Sequence, residues 1–205
     1  IKKQNKKETL MQELIKSENL NEIRKISGEI LKLHTSTRER LSEYAEIYKE
    51  IFKLTKLPNS IIDLASGLNP FSIILTKFKG KYYSYEISKD DVTFLNKYFN
   101  ILKKFNIEGK TYCEDITKNI NFKKADVCFL FKFLDLIKEN RKYFLTELIK
   151  NLKCKYLIVS FSKKTISLKS MKETERKWFI ALLDKLKLNY KKLEFENETF
   201  FIIKL

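Results

Sequence analysis

Short apolar runs rich in β-branched and aromatic residues alternate, from residue 57 onward, with longer segments whose apolar residues have helical spacing. The strands are predicted at Ser60–Ala65, Tyr82–Glu86, Lys110–Cys113, Ala125–Phe131, Tyr156–Phe161, Tyr190–Phe195 and Thr199–Lys204. The helices between them are predicted at Phe71–Lys77, Lys89–Phe105, Asp135–Leu152 and Ser167–Leu188. Strands that alternate with helices require right-handed crossovers and form a largely parallel sheet. The last two strands are separated only by residues 196–198, so they should pair as a hairpin and end the sheet with an antiparallel member.

The pattern therefore predicts a Rossmann-like α/β fold with a seven-stranded, mostly parallel sheet and an antiparallel terminal hairpin. We assign this domain to residues 57–205 and a short helical extension to residues 1–56. Apolar positions in residues 5–33 predict two short helices with a break near Ser17–Asn21. Residues 34–54 predict one amphipathic helix that begins with hydroxyl residues suited to an N-cap and ends before Pro58.

The length and composition exclude several classes of protein. At 205 residues the chain accommodates one complete α/β domain. No apolar run approaches the roughly 20 residues of a membrane span, and the first residues show no signal-peptide core. Cys113, Cys128 and Cys154 match neither disulfide nor metal-ligand spacing, so we interpret them as core or boundary residues. We expect a soluble, cytoplasmic monomer without a metal.

The net charge of +16 is large for this length. A strongly basic protein attracts nucleic acid because binding releases the counterions condensed on the phosphates. Of the 42 basic residues, 37 are lysine, and they occur beside much Ile, Asn and Phe, which a biased genome would also produce. The charge thus favours a polyanionic partner without proving one.

Polar residues follow the first four predicted strands, at the edge where ligands of open α/β sheets bind. They are Asp63, Ser66, Gly67 and Asn69 after the first strand, Glu86 after the second, Glu114 and Asp115 after the third, and Lys132 and Asp135 after the fourth. The carboxylates among these residues repel a cofactor that carries phosphates. They suit ribose hydroxyls, an adenine amine and a cationic centre, and S-adenosylmethionine has all three.

The turn after the first strand, DLASGLNP at residues 63–70, holds a single glycine. One glycine is enough for close approach of the backbone to a ligand that has no pyrophosphate, and Gly67 supplies it. Asn69 is expected to cap the next helix, with Pro70 at its first position. An ordinary strand-to-helix turn accounts for these residues equally well.

Six segments occur in an order that resembles a known family. They are HTSTRERL at 34–41, IIDLASGLNPFS at 61–72, ADVCFLFKFLDLI at 125–137, VSF at 159–161, MKETERKWF at 171–179 and ENETFFI at 196–202. Together they resemble the aminoglycoside-resistance 16S rRNA methyltransferases, which methylate N7 of a decoding-site guanine. The resemblance implies a class I methyltransferase fold, S-adenosylmethionine as methyl donor and the small ribosomal subunit, through its 16S rRNA, as partner.

The resemblance also implies a donor site. Arg38 would pair with the carboxylate of the donor's methionine part, and the Asp63–Gly67 turn would line that part. Glu86 and Asp115 match the ribose and adenine positions. The full set of candidate donor-binding residues is His34, Arg38, Asp63, Ala65, Ser66, Gly67, Asn69, Glu86, Ile87, Asp115, Ile116, Phe131 and Lys132.

Two further residues are candidates for catalysis. Lys132 matches a functionally important lysine of the family, and Glu198 matches a glutamate near the C-terminus that affects activity. The lysines after the fifth predicted strand are candidates for RNA contact; they are Lys163, Lys164, Lys169 and Lys172.

Simpler interpretations of these residues stay open. His34 is equally suited to capping a helix or to another hydrogen bond, and Lys132 to extending into solvent at a strand end. Arg38 and Arg40 are typical of exposed pairs with neighbouring glutamates. The four lysines are also what an ordinary solvated face contains.

The sequence departs from the family pattern in four places. Ser66 replaces the usual cysteine and Glu86 the usual aspartate, and both keep the required chemistry. Residues 170–175 read SMKETE where GMEENY is expected, and only 33 residues precede His34 where family members have a longer extension. A methyltransferase with another substrate, or a non-catalytic RNA-binding relative, therefore remains an alternative.

Overall fold

The computed structural model describes residues 2–119, 121–137, 139–163 and 176–205. The strands are β1 (Ser60–Leu64), β2 (Gly80–Glu86), β3 (Ile107–Cys113), β4 (Val127–Phe131), β5 (Tyr156–Ser162), β6 (Tyr190–Glu194) and β7 (Glu198–Lys204). The α-helices are α1 (Lys2–Lys16), α2 (Leu20–Leu31), α3 (Thr35–Glu39), α4 (Tyr44–Thr55), α5 (Lys89–Leu102), α6 (Arg141–Asn151) and α7 (Lys177–Lys185). Short 3₁₀ segments lie at Asn69–Leu75, Lys103–Phe105 and Phe133–Asp135.

The seven strands form one sheet in the order β3-β2-β1-β4-β5-β7-β6. The first five strands are parallel, whereas β7 is antiparallel to both β5 and β6. The predicted hairpin is thus confirmed, but its antiparallel strand lies inside the sheet and not at the edge. The chain crosses from one side of β1 to the other between β3 and β4, and this switch point opens a crevice at the carboxyl ends of β1 and β4.

Each face of the sheet is covered by helices because alternate side chains of the buried strands point to opposite faces. On β4, Phe129 and Phe131 pack into a core with α1, α2, α4 and α5. Cys128 and Leu130 point to the other face, into a core with α6 and α7. The helices of residues 1–56 therefore share a core with the sheet.

The helix boundaries follow local capping where a cap is present. The Asn19 side chain accepts from Glu22 N at the start of α2, and the Ser88 side chain accepts from Asp91 N at the start of α5. The predicted break between the first two helices is confirmed at residues 17–19. No described helix is both long and apolar enough to span a membrane.

Several predicted elements differ from the structure. Residues 34–54 form two helices, because the chain turns at residues 40–43 and brings Arg40 into the interior. The predicted helix at Phe71–Lys77 is a 3₁₀ segment that begins at Asn69. The helix predicted from Asp135 begins only at Arg141, and of the helix predicted at Ser167–Leu188 the described part is α7.

Strand β3 begins three residues earlier than predicted. Its start, Ile107–Gly109, includes Gly109, where an added Cβ would lie 1.8 Å from Phe99 Cδ1 of α5. The glycine lets α5 pack directly on the strand, which local pattern alone does not reveal.

The cysteines are free thiols, and Cys113 is exposed, so its interpretation as a core or boundary residue was wrong.

Candidate active site

The turn that follows β1 presents open backbone to the crevice. Ala65 and Gly67 both have φ of 51°, and a Cβ built on Gly67 meets no atom within 4 Å. The left-handed conformation favours glycine at such a position. The Gly67 amide donates to Glu86 Oε2 at 2.8 Å, so the turn is tied to the end of β2.

Asp63, on β1 just before this turn, carries a buried carboxylate with one oxygen left over. Its Oδ2 accepts from Asn69 Nδ2 at 2.9 Å and from the Tyr82 hydroxyl at 2.6 Å. Its Oδ1 is buried without a hydrogen-bond partner among the described residues. Burial raises the pKa of Asp63 to about 6, although the bonds from Asn69 and Tyr82 act against it. Such an oxygen marks a position for a cationic or donor group, because leaving it unpaired costs free energy.

Glu86 ends β2 and is fixed between the β1 turn and α5. Its Oε1 accepts from the amides of Ile87 at 2.9 Å and Ser88 at 3.2 Å, while its Oε2 accepts from Gly67. The Ile87 side chain beside it is 66% exposed, which places an apolar surface at the rim of the crevice.

Asp115 follows β3 and is held in a local turn. Its Oδ1 accepts from the Thr117 amide at 3.0 Å and the Thr117 hydroxyl at 2.6 Å, and its Oδ2 lies 3.3 Å from Lys118 Nζ. The Thr117 hydrogen bonds, with Lys118, lower the pKa of Asp115. The neighbouring Ile116 is buried. The sheet places Asp115 beside Glu86, because Glu86 pairs with Cys113 in the register of β2 and β3.

Four charged side chains meet beyond the ends of β4 and β5; we call Glu39, Arg40, Lys132 and Glu198 the ion cluster. Glu198 Oε2 lies 2.7 Å from Arg40 Nε and 3.3 Å from Lys132 Nζ. Lys132 Nζ also lies 2.6 Å from Glu39 Oε2. Two cations thus face two anions, and Glu198 and Arg40 are almost completely buried. Paired and hydrogen-bonded charges of this kind are tolerated in an interior.

Hydrogen bonds extend the ion cluster to neighbouring strands. The Ser160 hydroxyl donates to Glu198 Oε1, and the Lys132 amide donates to both the hydroxyl and the carbonyl of Ser160 at 3.0 Å. Lys132 has φ of 57°, so the chain turns sharply at the end of β4. Lys132 is therefore ion-paired and not simply extended into solvent.

Arg40 connects the ion cluster to Asp63. Its Nη1 donates to Asn69 Oδ1 and to the Tyr44 hydroxyl, both at 3.2 Å. Burial lowers the pKa of Arg40, but the charge of Glu198 and the bonds to Glu198 and Tyr44 outweigh it and raise the pKa above its ordinary value. The interpretation of Arg40 as an exposed residue was wrong. No local signal indicates its burial, because Glu198 is 158 positions away in the chain.

The structure brings most of the predicted donor residues to one edge of the sheet, but three side chains have other tasks. Asn69 does not cap the helix that it begins, and its amide joins Arg40 to Asp63 instead. The Ser66 hydroxyl is paired with the Ser84 hydroxyl at 2.6 Å. Phe131 is buried, with its ring 5.1 Å from the Arg40 guanidinium carbon.

The residues predicted on α3 lie nearer the surface. Arg38 is exposed, and within the described ranges its guanidinium has no hydrogen bond or ion pair. His34 precedes α3 without capping it through its side chain, and its Nδ1 lies 2.9 Å from the Ser36 hydroxyl. His34 is thus the N-cap residue without a side-chain cap, and of its two simpler roles the structure shows the hydrogen-bonding one.

Of the lysines predicted to contact RNA, only Lys163 belongs to the described residues. Its Nζ lies 3.2 Å from Glu194 Oε2 and donates to the Phe195 carbonyl at 2.7 Å, which ties the end of β5 to the β6–β7 hairpin. Lys164, Lys169 and Lys172 lie outside the described residues.

The sequence model described as "Ribosomal RNA methyltransferase (FmrO)" matches residues 20–203. The chain belongs to this family. Among similar proteins, the 16S rRNA (guanine(1405)-N(7))-methyltransferase of Proteus mirabilis is 29% identical over 187 residues, which cover 88% of this chain and 66% of the relative. The enzyme of the same name from Frankia casuarinae is 27% identical and covers 85% of this chain and 62% of its own length. The chain thus spans slightly less than two thirds of these relatives.

Solved structures agree on the FmrO-family fold. The 16S rRNA methylase ArmA superposes with a TM-score of 0.70 at 24% identity, covering 91% of this chain and 98% of that one. The 16S rRNA methyltransferase RmtF, solved in complex with S-adenosyl-L-homocysteine, superposes with a TM-score of 0.74 at 19% identity, covering 98% and 75%. The expected class I methyltransferase architecture is confirmed.

Proposed function

We propose that this protein transfers a methyl group from S-adenosylmethionine to N7 of a guanine in the decoding site of 16S rRNA, within the small ribosomal subunit. The observation that carries the proposal is the buried, unpartnered Oδ1 of Asp63 at the switch point of an FmrO-family fold. Methylation would place a positive charge where cationic aminoglycosides bind and would so confer resistance. We further propose that the protein acts as a monomer in the cytoplasm, where ribosomal subunits are found.

The residues at the crevice fit this methyl donor. Asp63 Oδ1 is suited to its ammonium group, and the open turn at Gly67 to close approach of its methionine part. Glu86 Oε2 accepts only one described hydrogen bond, which leaves a lone pair for a ribose hydroxyl. Among the described residues Asp115 Oδ2 faces only the exposed Lys118, so it is available to the adenine amine. The exposed Arg38 guanidinium would pair with the donor's carboxylate.

The acceptor atom makes few chemical demands on the protein. Guanine N7 has an in-plane lone pair and no proton, so no general base is required. When bound, S-adenosylmethionine supplies an electrophilic methyl group on a sulfonium. N7 forms the new bond to carbon as the carbon–sulfur bond breaks, the bonding pair stays on sulfur, and the positive charge passes to the guanine. Placement of the two reactants can lower the barrier by roughly 7–11 kcal/mol.

Lys132 is placed to orient the base. Its ammonium has three donors, of which Glu39 and Glu198 engage two. The third would donate to O6 of the guanine or to its phosphate, leaving N7 free to attack. Unstacking the base costs a few kcal/mol, which contacts between lysines and phosphates would offset.

The Lys132→Met variant should methylate small subunits at least about tenfold more slowly than the wild type, because a charge-assisted hydrogen bond contributes about 1.5–3 kcal/mol. Its affinity for S-adenosylhomocysteine should change little. Single-turnover methylation and calorimetry measure the two effects. Lys155→Met is the matched control. Lys155 is an exposed, ion-paired lysine just before β5, at the amino ends of the parallel strands and away from the crevice. Full turnover in Lys132→Met would contradict the role of Lys132.

The Glu86→Gln variant should bind S-adenosylhomocysteine about tenfold more weakly. Both carboxylate oxygens of Glu86 accept from backbone amides, so a glutamine must turn its own NH₂ toward one set of these donors. The loss of that bond and of the charge costs about 1–2 kcal/mol. Calorimetry beside Glu108→Gln, a change at an exposed position of β3, tests this. Equal affinities for the two variants would show that Glu86 does not hold the ribose.

The function itself is tested on intact small subunits, free 16S rRNA and tRNA offered side by side with the methyl donor. Primer extension across the decoding site should show a block at one guanine of the small subunit. Expression in a sensitive bacterium should raise its tolerance of aminoglycosides. Methylation of tRNA alone would transfer the activity to another RNA substrate, and binding of the donor without any methylated RNA would refute the proposed function.

A further inference from the structure

The Asn69 side-chain amide can adopt only one orientation in its buried setting. Its Oδ1 accepts from Arg40 Nη1 at 3.2 Å and from the Tyr44 hydroxyl at 3.0 Å. A guanidinium has donors but no acceptor, so the amide oxygen must face Arg40. The amide NH₂ must then face Asp63, and it donates to Oδ2 at 2.9 Å.

This orientation determines which oxygen of Asp63 is left for a ligand. The Tyr82 hydroxyl also donates to Oδ2, so two donors hold the same oxygen. Oδ1 is thereby kept buried and without a described partner. If the Asn69 amide turned around, its oxygen would face the carboxylate and repel it. The direction of one buried amide thus decides whether the carboxylate is presented correctly.

The same guanidinium reaches the other side of the crevice. Arg40 Nε donates to Glu198 Oε2 at 2.7 Å, and this oxygen also faces Lys132 Nζ at 3.3 Å. Arg40 is therefore bonded at once to the group that orients Asp63 and to the group that holds Lys132. Its side chain is only 3% exposed, so water does not replace these bonds.

We propose that Arg40 is a positioning residue that orients Asn69, and through it the Asp63 carboxylate, for the donor's ammonium while holding Glu198 against Lys132. The inference rests on the proposed function for the identity of the donor. The alternative role of a buried arginine beside a glutamate is only to neutralise that glutamate. The two roles differ in what a compensating substitution restores.

Two variants separate these roles. In Arg40→Met, Glu198 keeps only Lys132 as a cationic partner and Asn69 Oδ1 keeps only the Tyr44 hydroxyl as a donor. The orientation of Asn69 is then less firmly held, so both thermal stability and affinity for S-adenosylhomocysteine should fall.

In the double variant Arg40→Met/Glu198→Gln, residue 198 carries no charge, so the loss of Arg40 leaves no buried carboxylate unneutralised. Thermal stability should recover. The affinity should stay about tenfold below that of the wild type, because Asn69 still lacks the charge-assisted hydrogen bond from Arg40. Lys49→Met, on an exposed face of α4, is the control.

Calorimetry with S-adenosylhomocysteine and thermal unfolding give the outcome without any RNA. Recovery of both stability and affinity in the double variant would overturn the inference, because Arg40 would then act only as a counter-ion. If Arg40→Met alone is too unstable to measure, the double variant carries the test. Failure of the wild type to bind S-adenosylhomocysteine would instead refute the proposed function.

Discussion

Replacing Glu198 with alanine should lower the free energy of unfolding by about 3–5 kcal/mol, because it leaves the charges of Arg40 and Lys132 buried without their shared partner. The Ser160 hydroxyl would lose its acceptor at the same time. Urea unfolding, with the transition midpoint and slope fitted together, measures the effect. An unchanged slope would show that the loss belongs to the folded state.

The matched control is Glu194→Ala on β6. Glu194 also faces two lysines, Lys163 and Lys192, but its side chain is 53% exposed. Exposed pairs contribute about 0–1 kcal/mol, so this variant should remain close to the wild type. Equal losses for Glu194→Ala and Glu198→Ala would contradict the importance of burial. The predicted influence of Glu198 on activity would then need a source other than the ion cluster.

Replacing Asp63 with asparagine should change stability and donor binding in opposite directions. Asparagine has nearly the same shape and keeps an oxygen for Asn69 and Tyr82, but it has no charge to bury. The pKa of Asp63 is raised from 3.8 to about 6 in the folded protein, so at pH 7.5 the variant should be more stable by roughly 2–3 kcal/mol. Its affinity for S-adenosylhomocysteine should fall roughly 100-fold, because the ammonium loses a buried anionic acceptor.

The stability difference between Asp63→Asn and the wild type should depend on pH. A carboxyl with a raised pKa binds its proton more tightly in the folded than in the unfolded state, so the stability of the wild type falls as pH rises from about 4 to about 6. The advantage of Asp63→Asn should therefore be full above pH 7 and vanish below pH 4. Asp126→Asn is a control of opposite sign, because the hydrogen bond from Lys155 lowers the pKa of Asp126. An Asp63→Asn protein less stable than wild type at pH 7.5 would refute the account.

Local pattern predicted the sheet well because the residues of a buried strand are themselves mostly apolar, β-branched or aromatic. The runs around Asp63, Phe129 and Ile158 are mostly apolar, as strands covered on both faces are, and all three are strands. The start of β3 was missed because Glu108 is exposed and Gly109 has no side chain, so Ile107 is the one apolar side chain in these three residues. The turn at residues 40–43 was missed because the helical periodicity continues through it.

The sequence by itself determined the class of fold, the edge of the sheet where polar residues collect, and the absence of a glycine series for phosphates. These follow from hydrophobic alternation and from residues at strand ends, which neighbours in the chain decide. Only the tertiary structure decided that Arg40 is buried and that Asn69 links it to Asp63. A buried ion pair depends on which distant segments meet and exclude water, and Arg40 and Glu198 are separated in the chain by strands β1 to β6.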